Sequence, residues 1–207
     1  IYLSSMDKEV VIDALSEVQK GDGSEYLEKI INVPFEVPSI SKTDVEKFLF
    51  QKLDEILKDI KEDDFDKNYW ANIYQSGYKH FFKNIRDVVR YINILRFNYS
   101  VLKNKVNIID LIAISAFQVF EPKVFETMKH NKDYFVGSFP EGRYGGNEEK
   151  GKVKQFIETS YTSLQILPNE SYLQLLQELF VKINESYSNT HYVGAPAKCR
   201  KEAKLCS

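Results

Sequence analysis

The chain has 207 residues, of which 43% are hydrophobic and 28% charged, with a formal net charge of −2. That length allows one ordinary domain or two small ones around a real core, and the balance of apolar and charged residues excludes wholesale disorder. The charge excludes a protein that holds nucleic acid by bulk positive potential.

In chain order, Ile1–Ser5 reads as the end of a strand, and Asp7 as an N-cap for a helix running to about Gln19. Val10, Val11, Ala14, Leu15 and Val18 give that helix an apolar stripe, and Gly21-Asp22-Gly23 ends it. Ser24 caps a short helix. The stretch from Val33 to Val37 then allows an edge strand or an extended connector, because Pro34 and Pro38 forbid a central strand.

From Ser41 to Lys61 the pattern is helical, with Val45, Phe48, Leu49, Leu53, Ile56, Leu57 and Ile60 on one broad face. The acidic cluster Glu62, Asp63, Asp64 and Asp66 reads as a solvated helix end, with a metal site as the alternative. Tyr69–Phe82 is rich in aromatics. Ile85–Leu102 and Asn107–Phe120 are two strong helices, and Pro122 suits the first position of another. Val106–Phe120 is interrupted by Asn107, Asp110, Ser115 and Gln118, so it reads as a buried helix and not a bilayer span. Phe135–Gly151, with glycines at 137, 142, 145, 146 and 151, reads as a loop or insert. Lys152–Thr159 has helical character, Glu170–Ile183 is a helix, and Glu185–Ala195 reads as loop.

Several groupings carry chemical meaning. Gly146–Val153 spells G-x-x-x-x-G-K, but Val153 stands where a phosphate loop needs a hydroxyl for magnesium, and no buried strand precedes it. The expectation is a mobile glycine-rich loop. Asp7, at a strand end, either caps the helix or reaches a bound phosphate. Arg86, Arg90 and Asn93 fall on one helix face, where the arginines either clamp an anion or line a solvated surface. Tyr69, Trp70, Tyr74, Tyr78, Phe81 and Phe82 are either core or a docking surface. The basic run at Lys198, Arg200, Lys201 and Lys204 is short and contains Glu202, which disfavours a nucleic-acid partner. His80, His130 and His191 are dispersed, and Cys199 and Cys206 are two cysteines at one end. Neither set makes a metal site or a disulfide framework.

Several strings resemble the KAP family of P-loop NTPases. Ile1–Leu15 looks like the segment after that family's Walker B strand. Tyr26-Leu27-Glu28-Lys29-Ile30-Ile31-Asn32-Val33-Pro34-Phe35-Glu36-Val37-Pro38 is similar to its most specific string. Arg86–Asn93 resembles its arginine-bearing lid helix, Val106–Ile114 and Phe120–Phe125 resemble the helix pair that follows, and Cys199–Ser207 resembles the approach to its last helix.

The resemblance implies a mostly α fold: a lid-like helical bundle preceded by a remnant of an α/β P-loop core. The expected organisation is 1–40 for the core remnant, 41–136 for the lid, 137–169 for a flexible insert, and 170–207 for the last helix and tail. Both ends read as cuts through a longer polypeptide that carries Walker A and B, hydrolyses ATP with magnesium, and belongs with phage-exclusion proteins or membrane-associated scaffolds. The resemblance implies Arg86, then Arg90, as candidate lid arginines near the nucleotide phosphates, and places Asp7 near the nucleotide-sensing position as a cofactor-binding candidate. No cofactor and no metal is expected in this stretch alone. The expected partners are the remainder of the NTPase core, then a second copy or another protein, with no membrane span here and a cytoplasmic location. The alternative is a helical interaction module without catalysis.

Overall fold

The computed structural model describes residues 5–19, 21–31, 35, 40–103, 105–139 and 146–188. The expected strand at Ile1–Ser5 and connector at Val33–Val37 lie almost wholly outside these, as do residues 189–207. Among the described residues there are eleven α-helices and no strand, a mostly α architecture as the sequence implies. The chain divides into two compact units, Ile1–Ser39 and Ile40–Ser207.

The first unit holds α1 (Lys8–Gln19) and α2 (Gly23–Ile30). Asp7 caps α1: its carboxylate accepts from the amides of Glu9 at 3.1 Å and Val10 at 3.3 Å. For α2 the cap is Asp22, not the expected Ser24, because the Asp22 carboxylate accepts from the Ser24 amide at 2.9 Å. Gly23 is the hinge between the two helices. Its N–H donates to the Ser16 hydroxyl at 3.0 Å, and a Cβ at this position would collide with the carbonyl oxygen of Ile12. Among the described residues of this unit only Gly23 and Leu27 are buried, while Val10 and Val18 of the apolar stripe stand 64% and 77% exposed.

The second unit carries the core. It is built from α3 (Lys42–Leu57), α4 (Lys67–Ser76), α5 (Ile85–Leu102), α6 (Ile108–Phe120), α7 (Pro122–His130), α8 (Lys132–Phe135), α9 (Gly146–Ser160), α10 (Asn169–Leu179) and α11 (Val181–Tyr187). At four helix starts of this unit the preceding polar residue satisfies free amides. Ser41 caps α3, Asp66 caps α4, Asn84 caps α5 and Asn107 caps α6.

The most apolar helix, α6, is the hub. Ile109, Ile112, Ala113, Ala116, Phe117 and Phe120 are buried, and α5, α4 and α7 pack around it. A belt of aromatic rings fills the space beside it: Phe81 stacks on Phe120 at 5.3 Å, Phe82 meets Phe120 edge-on at 5.3 Å, and Tyr78 meets Phe82 at 5.2 Å. Edge-to-face and offset pairs at these separations add to the stabilisation from buried area.

Two expectations are corrected here. Gly146–Gly151 is not a glycine-rich loop but the first turns of α9, and Val153 and Ile157 of that helix are buried in the core. Apolar burial at 153, 156 and 157, one helical face, offsets the poor helix propensity of two glycines. Likewise 185–187 is the end of α11, with Ser186 buried, so only the later part of the expected loop at Glu185–Ala195 falls outside the described residues.

Candidate functional site

The arginines proposed from the sequence sit at the start of α5. Its first turn is held by Asn84, whose side chain accepts from the Asp87 amide at 3.0 Å, and by Asp87, whose carboxylate accepts from the Lys83 amide at 3.1 Å. Val88, Tyr91, Ile92, Leu95 and Tyr99 are buried and fix the roll of the helix. Helical geometry then places Arg86, Arg90 and Asn93 together on the opposite face, and all three are exposed. No carboxylate of a described residue lies within ion-pair distance of Arg86 or Arg90. Two neighbouring guanidinium groups therefore face outward with their donors open to an anion.

Asp7 is in the first unit and the arginines are in the second, so each stands within its own unit. The bonds to Glu9 and Val10 give the Asp7 carboxylate a capping role.

The Gly146–Val153 match is no phosphate cradle. In a helix the amides of Lys150 onward donate along the axis and cannot wrap a ligand. Val153 has no hydroxyl, its side chain is buried, and Lys152 pairs with Glu148 at 2.7 Å. The residues present thus do not fit a nucleotide and magnesium by themselves; they could at most reach phosphates held elsewhere. Among the described residues no group of three or more His, Cys, Asp or Glu could hold a metal ion, and the acidic run instead caps and flanks α4 through Asp66 and the Glu62–Lys67 pair.

The aromatic run is interior. Tyr69, Tyr78, Phe81 and Phe82 are buried, while Trp70 and Tyr74 are half-buried, with the Trp70 ring 5.1 Å from Tyr78 and 5.9 Å from Tyr74. Outside this run, Phe97 on α5 is 68% exposed. Its signal was the helical phase, 4 and 11 residues beyond Asn93 and Arg86 on the polar face.

Residues 1–102 match the model of the KAP family P-loop domain. The match supports an NTPase-related protein, and the matched stretch ends with the last residue of α5. The resemblances at Val106–Phe125 and Cys199–Ser207 fall beyond it. No curated protein and no solved structure matches the chain. No described helix is long and apolar enough to cross a membrane.

Proposed function

We propose that the helical unit is the lid of a P-loop ATPase of the KAP family, with Arg86 directed at the nucleotide phosphates and Arg90 in support. The observation that carries this reading is the pair of exposed arginines without carboxylate partners on α5, inside the stretch that matches the P-loop domain. ATP and magnesium would be bound by a phosphate loop and a carboxylate outside this chain. Arg86 would then stabilise charge on the transferred phosphoryl group, and the closing helix would pass nucleotide state to a signalling or phage-defence output. Asp7 would stay in its capping role and fix the helix that follows the core.

The test is Arg86→Ala in a polypeptide that includes the phosphate-binding half. Loss of a phosphate-directed arginine lowers turnover by roughly 10²–10⁵. That fall is expected in steady-state ATP hydrolysis, with Arg90→Ala milder. Wild-type turnover in Arg86→Ala rejects the assignment.

A further inference from the structure

The C-terminal end of the α3–α5 pair has features that the lid reading does not use. Phe97 and Val101 of α5 stand 68% and 52% exposed on one helix face. Around them are Arg96, Lys103 and Lys105, all exposed and without a carboxylate in ion-pair range among the described residues. Lys103 lies 5.5 Å over the Tyr99 ring.

The same end of α3 is acidic. Residues 54–66 hold seven carboxylates against two lysines, and Asp54, Asp59, Asp63 and Asp64 are exposed with no ion pair among the described residues. The two charge sets are neighbours: burial first, and then the Asp59 carboxylate, push the Tyr99 hydroxyl above its ordinary range, while Lys103 covers that ring.

A basic strip and an acidic strip side by side, next to uncovered apolar side chains, form a surface complementary to itself under a two-fold rotation. A closed dimer requires such a patch, because each contact occurs twice with roles exchanged. Separate exposed apolar residues are ordinary, but large ones flanked by unpaired charges of both signs have the make-up of an interface centre with a polar rim.

We propose that this end of the α3–α5 pair is a self-association surface. Phe97 and Val101 of one copy pack on those of a second, and Arg96 and Lys103 of each face Asp59, Asp63 and Asp64 of the other. The occupant is a second copy because the chain itself supplies the complementary charge. Phe97 lies on the Arg86 face but 11 residues along α5, about 16 Å of helix, so Phe97→Asp and Arg86→Ala test the two readings separately.

The experiment is sedimentation velocity on the full chain across a concentration series, at low and high salt. A reversible dimer that weakens with salt is expected. Phe97→Asp should leave a monomer with unchanged helicity by circular dichroism, since the ring is exposed. Two charge reversals, Arg96→Glu with Lys103→Glu and Asp63→Lys with Asp64→Lys, should each raise the dissociation constant by about tenfold or more. Mixing the two variants should restore a mixed dimer. A wild type that stays monomeric at every concentration overturns the proposal, as does a dimer indifferent to Phe97→Asp. Reversal variants that fold but do not pair when mixed also overturn it.

Discussion

Glu121 is the residue on which the second half of the helical unit turns. It is fully buried, follows α6 immediately, and directs its carboxylate at three consecutive amides. Gln165 donates to Oε2 at 2.7 Å, and Ile166 and Leu167 donate to Oε1 at 2.7 and 2.8 Å. Three amide donors satisfy both oxygens of the buried carboxyl group without a cation, which offsets the cost of taking it out of water. The loop before α10 is thereby tied to the α6–α7 corner, which a sequence separation of more than 40 residues hides. Glu121→Ala leaves three buried amides unanswered, and a loss of about 3 kcal/mol or more is expected from urea unfolding. Glu121→Gln should recover only part, because its amide nitrogen turns a donor toward donors. Stability unchanged in Glu121→Ala rules out this role.

At the scale of elements, the helices legible in the sequence were those whose apolar spacing and capping residue agreed. α3, α5 and α6 appear within a few residues of their expected bounds, since Ser41, Asn84 and Asn107 stand before apolar runs of helical period, whereas the single helix expected over Glu170–Ile183 is broken at the extended Phe180 into α10 and α11. α9 was read only in its second half, because Gly146 and Gly151 spoke for loop while the burial of Val153 and Ile157 depends on partners elsewhere in the chain. The arginine face of α5 was legible from spacing alone. The exposure of Phe97 follows from the same spacing, four residues beyond Asn93 on the arginine face. Gly77 is a position whose meaning is tertiary. It ends α4 with extended backbone, φ 174°, so no strain asks for glycine there. A Cβ, however, would lie 2.8 Å from the carbonyl oxygen of Ser171 in α10. Gly77→Ala must therefore push α4 and α10 apart, and a cost of about 1–3 kcal/mol is expected in thermal or urea unfolding, the range for overpacking. A variant as stable as the wild type shows that the two helices yield.

At the scale of the molecule, several tyrosines are buried in the core of the helical unit, and this sets how the fold responds to pH. Among the described residues, Tyr78, Tyr91 and Tyr172 are wholly buried. Tyr91 donates to the Ile112 carbonyl at 3.0 Å and Tyr172 pairs with the Ser160 hydroxyl at 2.8 Å, while the Tyr78 hydroxyl has no hydrogen-bond partner among the described residues. Burial pushes all three hydroxyls well above the ordinary range near 10, and half-buried Tyr74 is pushed up to about 12 by burial and then by Glu46. The sign follows from proton counts. Above pH 10 the unfolded chain loses these protons while the folded chain keeps them, so stability is full below that pH and falls as pH rises beyond it. Each buried tyrosine contributes a slope of about 1.4 kcal/mol per pH unit in that window, and the three together about 4 kcal/mol per unit. Unfolding is therefore expected to be steep and cooperative between about pH 10 and 12. Tyrosinate absorbance near 295 nm measured against helical circular dichroism should show it: the exposed tyrosines ionise first, and the buried ones appear only as helicity is lost. Full ionisation of every tyrosine before any loss of helicity means that these hydroxyls reach water in the folded state, and the belt beside α6 is then looser than its geometry requires.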